Sequence, residues 1–115
     1  MITNFETITQ ELTEVQKQQA NILASILRTT SKKHQFKNKE LAFIMFIKHD
    51  IKCNAIQVRK MINHIRSSGT LPVIGTSKGY YISFDQDDIK KAIQGQEERI
   101  RQQQRAVNGM KKFII

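Results

Sequence analysis

A chain of 115 residues with 19 Lys or Arg against 10 Asp or Glu, a formal net charge of +9, has room for one domain with a modest hydrophobic core. Its 39% hydrophobic residues suffice to fold it, its single cysteine excludes an intrachain disulfide, and its longest apolar run, Leu41–Ile47, is far too short to span a bilayer. The charge excess points to an anionic partner, nucleic acid first and an acidic membrane second.

Residues 4 to about 28 read as one helix, with room for a break near Gln18–Ala20. Asn4 is placed to cap it and Glu6 falls in its first turn, where the helix dipole favours an acid. Phe5, Ile8, Leu12 and Val15 recur at three- and four-residue steps, and Leu23, Ile26 and Leu27 continue the stripe. This stretch is acidic, with Glu6, Glu11 and Glu14 against Lys17. It opens with no basic segment followed by an apolar run, so no signal peptide is expected. With the lone cysteine, that predicts a cytoplasmic location, in a bacterial host cell on the resemblance given below.

The stretch TTSKKHQFK (29–37) has no helical period and reads as a loop with a short strand near Gln35–Lys37. Asn38 then caps a helix over KELAFIMFIKHD that ends at Ile47 or Lys48. Apolar almost all round, this helix is expected to be largely buried. HDIKC is a turn. Asn54 caps the next helix, AIQVRKMINHIRSS, in which Ala55, Val58, Ile62 and Ile65 share one face and Gly69 provides the stop.

LPVIG and YYISF are the strand-like runs, and TSKG between them has turn chemistry. Pro72 stands where a missing N–H is tolerated. Period-two alternation puts Tyr80, Ile82 and Phe84 on one face, packed on the helices, with Tyr81 and Ser83 pointing away. Asp85 or Asp87 caps a last helix starting at DDIKKAI and running through QGQEERIRQQQRAV, with interruptions expected at Gly95 and Asn108-Gly109. Ile93, Ile100, Val107 and Ile114 are spaced by seven, but Gln96 and Gln103 occupy other seam positions, so the coiled-coil signal is weak.

The charge concentrates in the middle. Residues 28–66 hold ten Lys or Arg against Glu40 and Asp50. A solvated surface has no need of that clustering, whereas a surface facing phosphates gains from it through counterion release. The 55–67 helix is long enough for a DNA major groove, and opposite its core stripe it carries Ile56, Gln57, Lys60, Asn63, His64 and Ser67, with Arg59 and Arg66 on the flanks. Lys52 and Asn54 stand at its entry. The hairpin turn projects Thr76, Ser77 and Lys78, and Lys32, Lys33, Lys37 and Lys39 supply non-specific attraction. These sixteen residues, without Ile56, form the candidate double-stranded DNA surface. The plainer alternative is a small hairpin closing a helical core, with solvated lysines.

Val58-Arg59, Ile62, Ile65-Arg66, Gly69, the Pro72–Ile74 strand and Gly79-Tyr80-Tyr81 together resemble the winged helix-turn-helix of the biotin-repressor type, especially small winged-helix proteins encoded by phages of Gram-positive bacteria. The resemblance covers roughly residues 20–84. Arg99 and Gly109-Met110 match the tail of the phage-type proteins more loosely. The resemblance implies a mainly α fold with a small β-hairpin: a winged helix-turn-helix domain (20–84) between an N-terminal helical extension (1–19) and a C-terminal one (85–115). It implies DNA binding in transcriptional regulation or replication of a phage or mobile element, without catalysis. The rival expectation is a protein-interaction module that binds and redirects a host protein.

No metal, cofactor or catalytic constellation is legible. His49 and Cys53 are four apart but straddle a turn, and with His34 and His64 they lack the paired spacing of a zinc site. Gly75 and Gly79 have no phosphate-loop sequel, and the acids at 85–88 are ordinary capping. The basic segment contains an apolar helix rather than a basic amphipathic one, so no membrane attachment is expected. A homodimer is expected through the N-terminal helix (Phe5, Ile8, Leu12, Val15) or the C-terminal one (Ile93, Ile100, Val107, Met110, Phe113).

Overall fold

The computed structural model of the chain describes residues 12–114. In chain order the elements are α1 (Glu14–Leu27), α2 (Asn38–His49), α3 (Ala55–Ser67), β1 (Val73–Thr76), β2 (Gly79–Ile82) and α4 (Gln86–Lys111). The protein is mainly helical with one two-stranded antiparallel hairpin, as its periodicities predict. The chain divides between Ile82 and Ser83 into two compact units. Among the described residues no helix is long and apolar enough to cross a membrane.

Helix α1 starts at a capping box. The Thr13 hydroxyl accepts from the Gln16 N–H at 3.2 Å, and the Gln16 side-chain oxygen accepts from the Thr13 N–H at 2.9 Å. It runs unbroken through Gln18–Ala20 and buries Ala20, Leu23, Ala24, Ile26 and Leu27. Asn4, Phe5, Glu6 and Ile8 lie outside the described residues. Leu12 packs against the core, but Val15 is exposed, so the expected stripe does not extend to it.

Helix α2 departs from expectation twice. Lys37 rather than Asn38 is its cap, with the Glu40 carboxylate accepting from the Lys37 N–H at 2.9 Å. Moreover, only Leu41 and Met45 are buried; Phe43 is 64% exposed, and Phe46 and Ile47 are exposed as well. A helix packed from one side hides one stripe, here the i, i+4 pair, however apolar the rest is. The helix runs to His49. Asp50 then takes a left-handed conformation (φ 54°), and the Ile51 N–H reaches back to the Met45 carbonyl, closing the helix end.

Helix α3 follows prediction closely. Asn54 caps it; Val58, Ile62 and Ile65 of the expected face are buried, joined by Met61, while Ala55 is half-buried; and Gly69 (φ 70°) stops it, the Thr70 N–H bonding to the Ile65 carbonyl. Leu23 and Leu27 of α1, Leu41 and Met45 of α2, and Val58, Met61 and Ile62 of α3 are the largest fully buried side chains. The centre of the core is therefore a three-helix junction.

The hairpin pairs Val73 with Ile82, Ile74 with Tyr81, Gly75 with Tyr80 and Thr76 with Gly79. Phe36 pairs with Tyr80 on the other edge of β2 through two backbone bonds, 3.2 Å and 2.8 Å, where a short strand near Gln35–Lys37 is expected. Val73, Tyr80 and Ile82 pack on the helical core as the alternation predicts. Two expectations fail here. Phe84 is 70% exposed, because β2 ends at Ile82 and the chain turns into the cap of α4. Tyr81 is 4% exposed, and its cross-strand partner Ile74 on the same second hairpin face is buried too.

Thr30 fastens α1 to β2. Its hydroxyl donates to the Leu27 carbonyl and accepts from the Ile82 N–H at 3.0 Å, in a site 9% exposed. Thr30→Val keeps the shape and leaves that N–H unpaired, so a loss of about 1–3 kcal/mol in urea unfolding is expected. Thr30→Ser, which keeps the hydroxyl, should retain most of the stability.

Helix α4 is capped by Asp85, whose carboxylate accepts from the Asp87 and Asp88 N–H groups at 2.8 and 3.1 Å. It is continuous over 26 residues, through both Gly95 and Asn108-Gly109, where breaks are expected. A glycine inside a helix costs only about 1 kcal/mol, which a long helix tolerates. No residue of α4 is buried.

Candidate nucleic-acid interface

The polar face of α3 divides into residues engaged in structure and residues left to the solvent. Asn54 and Gln57 belong to the first group. The Asn54 side-chain oxygen accepts from the Gln57 N–H at 2.8 Å, and the Gln57 side-chain oxygen accepts from the Asn54 N–H at 2.9 Å. Since each amide oxygen takes a backbone donor, the amide orientations are fixed, and each side chain keeps its NH2 group and one oxygen lone pair, held in the cap geometry.

Arg66 has a structural partner as well. Its Nε donates to the Val73 carbonyl at 2.9 Å, and its guanidinium carbon lies 5.8 Å from the centre of the Tyr80 ring. It ties the end of α3 to the hairpin, and the ring contact adds a cation–π attraction. Ser67 donates to the His64 carbonyl at 3.3 Å within its own helix. Lys60 and His64 are half-buried.

Arg59 and Asn63 make up the second group. They are exposed, one helical turn apart, and their side chains make no hydrogen bond or ion pair among the described residues. Asn63 therefore keeps both amide atoms. Ile56 is exposed on the first turn of the same helix. No acid interrupts α3, and Lys52 is exposed in the connection that precedes it.

The hairpin turn is joined to a second basic turn. Ser31 and His34 pair through two backbone bonds, 3.2 and 2.9 Å, so Lys32 and Lys33 sit at the tip of a tight loop. Gln35 then bridges the two turns. Its amide nitrogen donates to the Lys32 carbonyl at 2.9 Å, while its oxygen accepts from the Thr76 hydroxyl. The Thr76 oxygen in turn accepts from the Lys78 N–H at 3.1 Å. Thr76 is thus a strut of the turn, while Ser77 and Lys78 project from it, exposed. Lys33 and Lys37 are exposed on the segment that leads into α2, and Lys39 is exposed in its first turn. Lysines remote in sequence, Lys32 and Lys33 on one turn and Lys78 on the other, are so held on linked turns.

Cys53 is half-buried, and burial pushes its thiol above the ordinary range, the opposite of what a nucleophile requires. Among the described residues no three His, Cys, Asp or Glu side chains converge as metal ligands; His34 and His49 are exposed.

Sequence reasoning missed Thr30 and Gln35, and it missed the tie from Arg66 to the hairpin. A Thr or Gln in a polar loop carries no periodic signal, and the direction of an Arg at a helix end depends on what the chain later brings beside it. Comparison of the chain with protein-family models, with curated proteins and with solved structures returns no match.

Proposed function

We propose that this is a winged helix-turn-helix protein that binds double-stranded DNA, with α3 in the major groove and the β1–β2 turn against the backbone. The observation that carries the reading is the Arg59–Asn63 face: an exposed cation and amide without a partner among the described residues, on a helix without acids. The order helix, single pairing strand residue, helix, helix, hairpin is the order that a winged helix requires. A role in transcription or replication of a phage or mobile element rests on the resemblance of residues 20–84 alone.

The residues divide by task. Asn63 reads a base edge. Arg59, Lys60, Lys52, Lys33 and Lys78 contact phosphate. Asn54, Gln57, Arg66 and Thr76 hold the reading elements in place. Asn63→Ala is expected to cost about 1–3 kcal/mol on a preferred duplex only, and Arg59→Ala or Lys60→Ala should weaken all duplexes and reduce the salt slope by about one. Fluorescence anisotropy against duplex DNA over a salt series measures both. Unchanged binding in the triple variant would remove α3 from the interface.

A second reading has its own observation. Phe43, Phe46 and Ile47 share one exposed face of α2 through i, i+3 and i+4 spacing. Apolar side chains of that size on a surface suit a protein partner. Binding through that face would resist salt, whereas DNA binding falls steeply with it.

A further inference from the structure

Helix α4 is a long exposed helix whose apolar residues have a period of their own. Ile93, Ile100 and Val107 are separated by seven and are 51%, 63% and 49% exposed. In a heptad abcdefg that starts from these as a, the d positions are Ile89, Gln96, Gln103 and Met110, and Met110 is 69% exposed. A seven-residue spacing keeps one seam in line along another helix that supercoils with it. We infer that α4 is the dimerisation element, forming a parallel, in-register coiled coil with the α4 of a second copy.

Three features of α4 favour a second copy of the same helix. The first is charge. Glu98 pairs with Arg101 at 2.6 Å and with Arg105 at 3.5 Å, all at b and f positions on the outer face. The charged groups satisfy one another there, and the a and d seam contains none. The second is length. The 26 residues extend about 39 Å at the usual rise, enough for more than three heptads, which is the span that sustains a coiled coil. The third is the glycines. Gly95 and Gly109 both fall at c, on the outer face, with open space where a side chain would stand. They leave no hole in the seam, and since no residue of α4 is buried its apolar stripe is open to a partner helix.

The glutamines select the orientation. In a parallel pair, Gln96 and Gln103 each meet their own counterpart across the twofold axis, and two amides can hydrogen-bond to each other. In the antiparallel pair centred on the same seam, Gln96 faces Val107 and Gln103 faces Ile100, burying amides against aliphatic carbon. It also brings Lys90 of one copy beside Lys111 of the other. Buried polar layers at d therefore set the register, at some cost in stability.

The proposal is independent of what the rest of the chain binds. Sedimentation equilibrium of the full chain at tens of micromolar should give twice the monomer mass. Ile100→Lys with Val107→Lys should give the monomer mass, with the unfolding transition of the remaining domain retained. Gln96→Leu with Gln103→Leu should tighten the dimer at least tenfold. In a Cys53→Ser background, Gln103→Cys should oxidise to a covalent dimer and Gln102→Cys, on the outer face, should not. A monomeric full chain would overturn the proposal, as would a dimer that survives both lysines. Equal cross-linking from positions 102 and 103 would overturn the parallel register.

Discussion

Gly79→Ala is expected to lower the stability of the protein by roughly 3 kcal/mol or more, and its melting temperature by about 12 °C or more. Two independent constraints meet at this residue. Its φ is +135°, a conformation essentially reserved for glycine, which alone costs a side chain about 1–3 kcal/mol. A Cβ there would also lie 2.5 Å from the Phe36 carbonyl oxygen and 2.6 Å from its carbon, both backbone atoms that cannot turn aside. Relief of that clash separates Phe36 from Tyr80 and gives up two backbone hydrogen bonds, each worth about 1 kcal/mol. Gly75→Ala is the control. Its Cβ would meet the Arg66 guanidinium at 3.2 Å and the Tyr80 ring at 3.3 Å, both ends of movable side chains. Thermal unfolding followed by circular dichroism should separate the two variants clearly. Equal losses would mean that the hairpin tolerates no added methyl anywhere, and that the approach of Phe36 is not the cause.

Tyr81→Ala should cost about 3–5 kcal/mol in chemical denaturation, the loss typical of removing a buried aromatic ring. Phe84→Ala, by contrast, should lie within about 0.5 kcal/mol of the parent protein, as surface substitutions do. The alternation of YYISF read alone predicts the reverse, with Phe84 in the core and Tyr81 outside. The difference arises because both faces of the hairpin are covered: Tyr80 and Ile82 rest on the helices, and Ile74 and Tyr81 are buried on the other side. A larger loss at Phe84 than at Tyr81 would show that β2 continues to Phe84 in solution.

Much of the fold was legible because it depends on residues close together in the chain. The cap at Asn54, the stop at Gly69, the buried stripe Val58–Ile62–Ile65 and the turn chemistry of TSKG are local, and periodicity exposes them. The exposed candidate Asn63 follows from the same stripe by opposition, Arg59 from its flank, and Lys78 from the turn. Where local rules were outweighed, the cause was contact with distant residues. KELAFIMFIKHD looks core on every side, yet burial depends on how many neighbours a helix has, and α2 hides only Leu41 and Met45. Gly95 and Gly109 look like breaks, yet their helical cost is small beside the cooperativity of a 26-residue helix. Arg66, Thr30 and Gln35 take their partners from 7, 52 and 41 residues away, Val73, Ile82 and Thr76 respectively. Hydrogen bonds of that reach form only after the core has brought the strands to the helices. Composition and spacing therefore define the helices, the hairpin and the cationic segment, while folding determines which of the cationic and polar side chains stay available to a ligand.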